Sequence, residues 1–237
     1  MKKILISIII LLSVFLIYLG FKDEEIYYLS LGDYLSNGIN PYGVKDYGYS
    51  DYIKDYIDEN DKLEVYVNYS DKNTRTIDLI KDIEDNVKID VMGKSKTVQN
   101  ALIKADLLTI SIGMNDLLDN VKFNNDFSIN DLYNKLEEVI VDYERLFEIL
   151  RIYCKEEIIL VGLYNSLDNE NLNDFFDYAN KKLSSLATTY DINYINIYDD
   201  FNKSEYFENS KLFPNKLGYE VIFNKMVGII DENIIKD

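Results

Sequence analysis

The chain has no histidine, no tryptophan, one cysteine and two prolines in 237 residues. Without histidine it lacks the usual general base near neutral pH and the commonest metal ligand of proteins. The single thiol, Cys154, excludes an internal disulfide and any zinc site built on paired cysteines. We therefore expect neither a metal site nor a cofactor.

Basic residues are also scarce: 25 Lys and Arg stand against 42 Asp and Glu, a formal charge of −17. This balance disfavours a nucleic-acid partner and disfavours docking on an anionic lipid surface. Hydrophobic residues make up 47% of the chain, enough to favour one globular domain over disorder.

One long hydrophobic run, Ile4–Phe21, follows Lys2-Lys3 and precedes Asp23-Glu24-Glu25. Its eighteen residues would span roughly 27 Å as a helix, close to the hydrocarbon core of a bilayer. The charge asymmetry predicts a cytoplasmic N-terminus, an uncleaved single-pass anchor over residues 1–22 and a domain outside the cell membrane over residues 23–237. The main alternative is a cleaved signal peptide, although Tyr18–Lys22 offers no small-x-small cleavage site.

The rest of the chain alternates short apolar runs with helix-length segments. The predicted strands are Ile26–Leu31, Leu63–Val67, Leu107–Ile112, Ile158–Leu163 and Tyr194–Ile197. The predicted helices are Tyr52–Ile57, Thr76–Ile83, Val98–Ala105, Ile129–Tyr153, Leu172–Leu186 and Lys216–Ile235. This order predicts a three-layer α/β/α fold around a five-stranded parallel sheet, with the ligand site beyond the carboxyl ends of the strands.

Several turns lie at the predicted strand ends or before the last helix. They are Gly32-Asp33-Tyr34 through Gly38, Val91-Met92-Gly93, Gly113-Met114-Asn115-Asp116, Val161–Asn165, and Phe213-Pro214-Asn215 through Gly218-Tyr219. In this order they resemble the blocks of the SGNH hydrolases, the GDSL esterase/lipase family, and in particular its membrane-anchored bacterial members. The resemblance covers nearly all of residues 26–234 and implies a flavodoxin-like SGNH fold.

The departures from the family pattern fall on the catalytic positions. The resemblance places Tyr34 where the family has its nucleophilic serine, Phe213 where it has its histidine base, and Ser210 where it has the aspartate that orients the base. The backbone N–H of Gly93 and the side-chain amide of Asn115 occupy the positions of the oxyanion donors. The resemblance therefore implies oxyanion or ligand-binding groups beside a degenerate triad.

Ester hydrolysis on this plan needs a hydroxyl whose proton is removed as it attacks. Tyrosine has a pKa of about 10, so only on the order of one Tyr34 in a thousand would be phenolate at pH 7. Ser36 is interpreted as part of the turn, and a serine–lysine pair that uses Lys211 has no support from the spacing. Loss of a serine triad costs on the order of 10⁶ in turnover.

The sequence therefore predicts an extracytoplasmic domain that binds an acyl or glycan ligand or an envelope protein partner and does not hydrolyse esters. One alternative is an esterase or lipase with a rearranged site that acts on acylated glycan or lipid. Another is a purely structural domain whose cleft is filled by Tyr34 and Phe213.

Two further sequence features are weaker. The acidic clusters Asp58–Asp61 and Asp168–Asn171 lack the spacing of a calcium loop and are interpreted as solvated surface. Tyr42, Tyr47, Tyr49 and Tyr52 lie where a substrate would bind, but packing is the favoured role for tyrosines in a chain that has 21 of them.

Overall fold

The computed structural model describes residues 25–122, 128–167, 169–208 and 211–235. Its central sheet is built from strands whose side chains are predominantly β-branched, leucine or tyrosine. These strands are β1 (Ile26–Gly32), β2 (Leu63–Ser70), β5 (Leu107–Ser111), β6 (Glu157–Val161) and β7 (Asn193–Ile195). They pair in the order β2-β1-β5-β6-β7, and each pair is parallel. The predicted five-stranded parallel sheet is confirmed.

The helices alternate with these strands along the chain. They are α1 (Tyr34–Asn37), α2 (Tyr49–Glu59), α3 (Thr76–Glu84), α4 (Val98–Lys104), α5 (Met114–Lys122), α6 (Ile129–Tyr153), α7 (Asn173–Thr189) and α8 (Lys216–Ile230). Helix α2 packs against α8, whereas α6 packs against α3, α4, α5 and α7. The sheet is therefore covered on both faces, and the predicted three-layer architecture is confirmed.

Helix α6 shows why the hydrophobic pattern is informative. Eight apolar positions at helical spacing predict one buried stripe, and seven of them are buried in the structure: Leu132, Leu136, Val139, Tyr143, Leu146, Phe147 and Leu150. The eighth, Ile140, is half-buried against the same core. Ser128 and Asp131 start the helix with a reciprocal pair of hydrogen bonds, each 3.2 Å long.

An antiparallel hairpin of β3 (Lys88–Val91) and β4 (Lys94–Thr97) stands apart from the main sheet. Its turn is formed by Met92 and Gly93, which both have positive φ angles. The hairpin packs beside the edge strand β2 and the helix α4. It was not among the predicted strands.

The predicted membrane anchor over residues 1–22 lies outside the described residues. Among the residues that are described, no helix is long and apolar enough to cross a membrane.

Candidate functional site: the carboxyl edge of the sheet

The carboxyl ends of β1 and β5 form one polar edge of the sheet. Strand β1 ends at Gly32 and continues into Asp33, whose backbone N–H donates to the carbonyl of Ser111 at 2.8 Å. Gly32 has a φ of +126°, and a Cβ atom there would lie 1.8 Å from the Ser111 carbonyl oxygen. Only glycine tolerates both conditions, so the turn that carries Tyr34 is held tightly against β5.

Tyr34 lies at the start of α1 and is 1% exposed. Its ring meets the ring of Phe213 edge to face, with the centroids 5.3 Å apart. The Tyr34 hydroxyl faces Tyr164, although no partner among the described residues reaches hydrogen-bond geometry with it. Burial, the largest cause, raises the pKa of Tyr34 well above its usual value of 10.0. The phenol therefore stays neutral and packs as an aromatic side chain.

Ser36 is fully buried, and its hydroxyl is occupied on all sides. The Oγ atom donates to the Leu31 carbonyl at 2.5 Å, lies 2.7 Å from the Tyr49 hydroxyl and accepts from the Ser111 N–H at 3.1 Å. A carbonyl oxygen is not a base that removes a proton from a hydroxyl during attack. Ser36 therefore fastens the turn to β1 and β5, as the sequence suggested.

Asp33 is the ionisable group at the centre of this network. Its Oδ1 atom accepts from the Leu35 N–H at 3.1 Å and from the Ser111 hydroxyl at 2.8 Å. Its Oδ2 atom is buried and has no partner among the described residues. Burial, which outweighs these hydrogen bonds, raises the pKa of Asp33 to about 7.

Asn115 and Asp116 follow β5 and hold the loop after β2. The Asn115 amide donates to the carbonyls of Lys72 and Thr74, each at 2.9 Å. Asp116 accepts from the backbone N–H and the hydroxyl of Thr76, at 3.0 and 3.1 Å, at the start of α3. Both amide protons of Asn115 are thus engaged by the protein itself, which leaves neither free for an oxyanion.

A family model described as GDSL-like Lipase/Acylhydrolase matches residues 28–226, which is most of the chain. The chain belongs to this family. The match includes β1 from Tyr28 onward, the Asp33–Tyr34 turn, the Asn115 turn and the Phe213–Tyr219 segment.

Solved structures of esterases share the fold of this GDSL family member. A lipase from a goat rumen metagenome has a TM-score of 0.71 at 20% identity and covers 85% of this chain and 95% of its own. The acetylxylan esterase Axe2 of Geobacillus stearothermophilus has a TM-score of 0.65 at 16% identity, covering 88% and 96%. The esterase EstA of Pseudoalteromonas sp. has a TM-score of 0.59 at 17% identity, covering 86% and 96%. No curated protein sequence matches the chain.

The structure brings together two of the three positions that the sequence resemblance assigns to the triad. Tyr34 and Phe213 are in contact, which agrees with the alignment of the Gly-Asp and Pro-Asn turns. Ser210 lies outside the described residues. Asn115 follows β5, the strand next to β1, so it lies on the same edge of the sheet as Asp33 and Tyr34.

Gly93, the second predicted oxyanion donor, does not join this edge. Its N–H donates to the Asp90 carboxylate at 3.0 Å in the hairpin turn. Its neighbours Met92 and Lys94 line a pocket with Tyr27 and Asp106, at the amino ends of β1 and β5. The segment that adjoins Asn115 is instead the loop of residues 71–75 after β2, and its carbonyls point at the amide.

Two tyrosines that the sequence reasoning left without a role hold the edge together. The Tyr219 hydroxyl donates to the Ile39 carbonyl at 2.7 Å, and the Tyr164 hydroxyl donates to the Leu212 carbonyl at 2.5 Å. Both belong to motifs that carried the family resemblance, Val161–Asn165 and Gly218-Tyr219. The Tyr219 bond ties α8 to the segment that follows Tyr34, and the Tyr164 bond ties the Phe213 segment to the loop after β6.

The four tyrosines in the segment after β1 differ in how deeply they are buried. Tyr49 is fully buried, Tyr52 is half-buried, and the edge of Tyr47 packs on Tyr52 with the centroids 4.7 Å apart. Tyr42 remains 72% exposed. Packing is therefore confirmed for Tyr49 and Tyr52, whereas Tyr42 lies on the surface.

Neither acidic cluster forms a metal centre in the described part of the chain, where no group of three or more His, Cys, Asp or Glu side chains is placed to hold an ion. Asp168, which begins the second cluster, lies outside that part.

Proposed function

We propose that this chain is a membrane-tethered GDSL-family domain that does not hydrolyse esters and binds an envelope ligand or partner protein instead. The observation that carries the proposal is the contact between Tyr34 and Phe213. Two aromatic rings pack together at the positions where the family mechanism needs a hydroxyl nucleophile and an imidazole. No histidine elsewhere in the chain replaces the missing base.

The structural neighbours support the importance of a serine nucleophile and a histidine base. Among them are catalytic mutants of Axe2 in which a serine or a histidine is replaced by alanine. In this chain, both positions assigned to those residue types by the family resemblance hold other side chains. The loss of a complete serine triad typically reduces turnover on the order of 10⁶-fold.

The alternative, an esterase with a rearranged site, needs an accessible nucleophile next to a base. Ser36 is the serine nearest to the motif, but it is fully buried and its proton is directed at the Leu31 carbonyl. Asp33 is close to Ser111, yet it is buried as well. Neither arrangement gives an ester access to an activated hydroxyl.

A binding role is supported by apolar side chains exposed around the contact between Tyr34 and Phe213. Tyr42 is 72% exposed and Val44 is 59% exposed in the loop after α1, and Leu217 is 54% exposed at the start of α8. The loop and the Phe213 segment are adjacent, because a Cβ on Gly43 would lie 3.9 Å from the Phe213 ring. Exposed aromatic and aliphatic groups of this kind suit a sugar face, an acyl chain or a protein partner.

The extracytoplasmic location is part of the same proposal. It is supported by the run Ile4–Phe21 and by the lysines that precede it. A tethered binding domain also agrees with the strongly acidic composition, which keeps a domain soluble and disfavours nucleic-acid ligands.

The test uses the full-length protein in detergent, with chromogenic acetate and butyrate esters and a fluorophosphonate probe. We expect neither turnover above the detergent blank nor covalent labelling. The matched control is Ser36→Ala, which should behave like the wild type in both assays. Wild-type turnover or labelling that disappears in Ser36→Ala would establish the rearranged esterase and refute the proposal.

A further inference from the structure

The amino ends of β1, β2 and β5 form a second face of the domain, opposite the edge that carries Tyr34. Two pockets of about 500 Å³ and 340 Å³ open on this face, and both are lined by Glu25 and Asp106. Glu25 is also the first residue that the structure describes. The chain that precedes the domain therefore reaches it on this face.

The larger pocket is bordered by a basic group on the hairpin and on α4. We call Met92, Lys94, Lys96 and Lys104 the basic face. Met92 is 69% exposed at the tip of the hairpin, and the three lysines are exposed. Residues 88–104 contain four lysines and one aspartate, which reverses locally the charge of −17 that the whole chain carries.

The lysines of the basic face are available to an outside anion. Within the part of the chain that the structure describes, Lys94, Lys96 and Lys104 form no ion pair and no side-chain hydrogen bond. The pocket is also lined by three carboxylates, the exposed Glu25 and Glu64 and the half-buried Asp106. Glu64 lies at the start of β2, and Asp106 accepts from the Tyr27 N–H at 2.7 Å.

The length of the tether fixes which face is near the membrane. Three residues, 22–24, separate Phe21, the end of the apolar run, from Glu25. Four Cα steps extend at most about 14 Å, and the headgroup layer itself is about 5–8 Å thick. If the run spans the membrane as proposed above, Glu25 lies within a few ångströms of the headgroups, and so does the face around it.

We propose that the basic face rests on anionic lipid headgroups of the membrane that anchors the chain. The three lysines contact phosphates, and the Met92 side chain enters the interfacial layer between them. The seven residues of β1 then hold the Tyr34 edge about 23 Å farther out. The Tyr34 edge then faces away from the membrane, so the ligand proposed above comes from the surrounding envelope rather than from the lipids beneath the domain.

The experiment compares two labelled positions in the full-length protein in lipid vesicles. A cysteine at Met92→Cys carries an environment-sensitive fluorophore, and Tyr42→Cys carries it at the opposite edge. The native Cys154 is buried, so the label goes to the introduced thiol. In phosphatidylglycerol vesicles that contain a headgroup nitroxide, we expect strong quenching at position 92 and little at position 42.

The charge dependence separates lipid contact from mere proximity. Lys94→Gln, Lys96→Gln and Lys104→Gln together should at least about halve the quenching at position 92, as should replacing phosphatidylglycerol by phosphatidylcholine. The matched control, Lys45→Gln, Lys181→Gln and Lys203→Gln, removes the same charge from other surfaces and should leave quenching unchanged.

Equal quenching at positions 92 and 42, or quenching that is insensitive to the three substitutions and to lipid charge, would overturn the inference. Failure of the protein to float with the vesicles would overturn it through the anchor step. The ester and fluorophosphonate assays on the same preparation would still decide the proposed inactivity independently.

Discussion

Replacing Asp33 by asparagine should remove a penalty that the wild-type protein carries at alkaline pH. Asp33 is buried beneath the Tyr34 turn, where only its Oδ1 atom has hydrogen-bond partners among the described residues. Burial raises the pKa of this carboxyl from 3.8 to about 7. The folded protein therefore keeps a proton on Asp33 at pH values where the unfolded chain has lost it.

The sign follows from this difference in proton binding. Because the folded state binds the proton more tightly, stability is fully present below the unfolded pKa and declines as pH rises through the folded pKa. A shift of roughly three pKa units corresponds to about 4 kcal/mol, of which about 3 kcal/mol falls between pH 4.5 and pH 8.5. Above that range the loss is complete and this group adds no further pH dependence.

Asparagine is a close match for the protonated form. Its Oδ1 atom accepts the same two hydrogen bonds, and its amide places a donor at the position of Oδ2, as the neutral acid does. Asp33→Asn should therefore be within about 1 kcal/mol of the wild type at pH 4.5 and about 4 kcal/mol more stable than the wild type at pH 8.5. The exposed Asp58→Asn serves as the matched control.

The assay is urea unfolding of the full-length protein in mild detergent, followed by tyrosine fluorescence and far-UV circular dichroism at pH 4.5, 6.5 and 8.5. We expect the free energies of unfolding of Asp33→Asn and the wild type to diverge as pH rises, whereas that of Asp58→Asn follows the wild type. Parallel curves for Asp33→Asn and the wild type would show that Asp33 ionises normally in the folded protein.

Three further predictions concern the same edge and use urea unfolding as the measurement. Gly32→Ala places a Cβ atom 1.8 Å from the Ser111 carbonyl oxygen and should prevent folding or destabilise the protein by more than about 3 kcal/mol. Its control, Gly93→Ala, has open space around the new Cβ at a φ of +77° and should cost only about 1 kcal/mol. Equal losses of stability in the two variants would contradict the packing argument. Tyr34→Ser should cost about 3–5 kcal/mol of stability without creating esterase activity. Tyr34→Phe removes a hydroxyl that has no hydrogen-bond partner among the described residues, so it should cost less than about 1 kcal/mol. Ester hydrolysis by Tyr34→Ser would show that a base is present after all. Asn115→Ala should cost about 2–3 kcal/mol and open the loop of residues 71–75 to proteolysis, and an unchanged digestion pattern would disprove the anchoring role.

The sheet and its layers could be predicted because the strands at the centre are buried on both sides. Every residue of β1 is buried, and so are β5 and four of the five residues of β6, which gives continuous apolar runs of strand length. The hairpin of β3 and β4 could not be predicted in the same way. Its strands have four residues each, and β4 alternates lysine with small polar side chains without a buried face.

The placement of Gly93 shows the limit of matching a turn by its glycine. Val91-Met92-Gly93 has an apolar start and a glycine, as does a strand that ends at a ligand site, but it belongs to the hairpin at the other end of the sheet. The loop after β2 has no glycine at all, since its residues are Asp71-Lys72-Asn73-Thr74-Arg75. The place of this loop in the chain could have identified it, because a loop that directly follows a parallel strand lies at the carboxyl edge of the sheet.

Asp33, Asn115 and Asp116, which match motifs of the family, each make hydrogen bonds that hold the carboxyl edge of the sheet together. Asp33 receives the Leu35 N–H and the Ser111 hydroxyl, Asn115 holds two carbonyls of the β2 loop, and Asp116 binds the start of α3. Removing any of them leaves buried partners without hydrogen bonds. At the positions that the family resemblance assigns to the nucleophile and the base, the rings of Tyr34 and Phe213 pack against each other. The stability losses predicted for Asn115→Ala and Gly32→Ala, beside the absence of hydrolysis predicted for Tyr34→Ser, therefore test our proposal that this edge is kept for its structure and does not transfer protons.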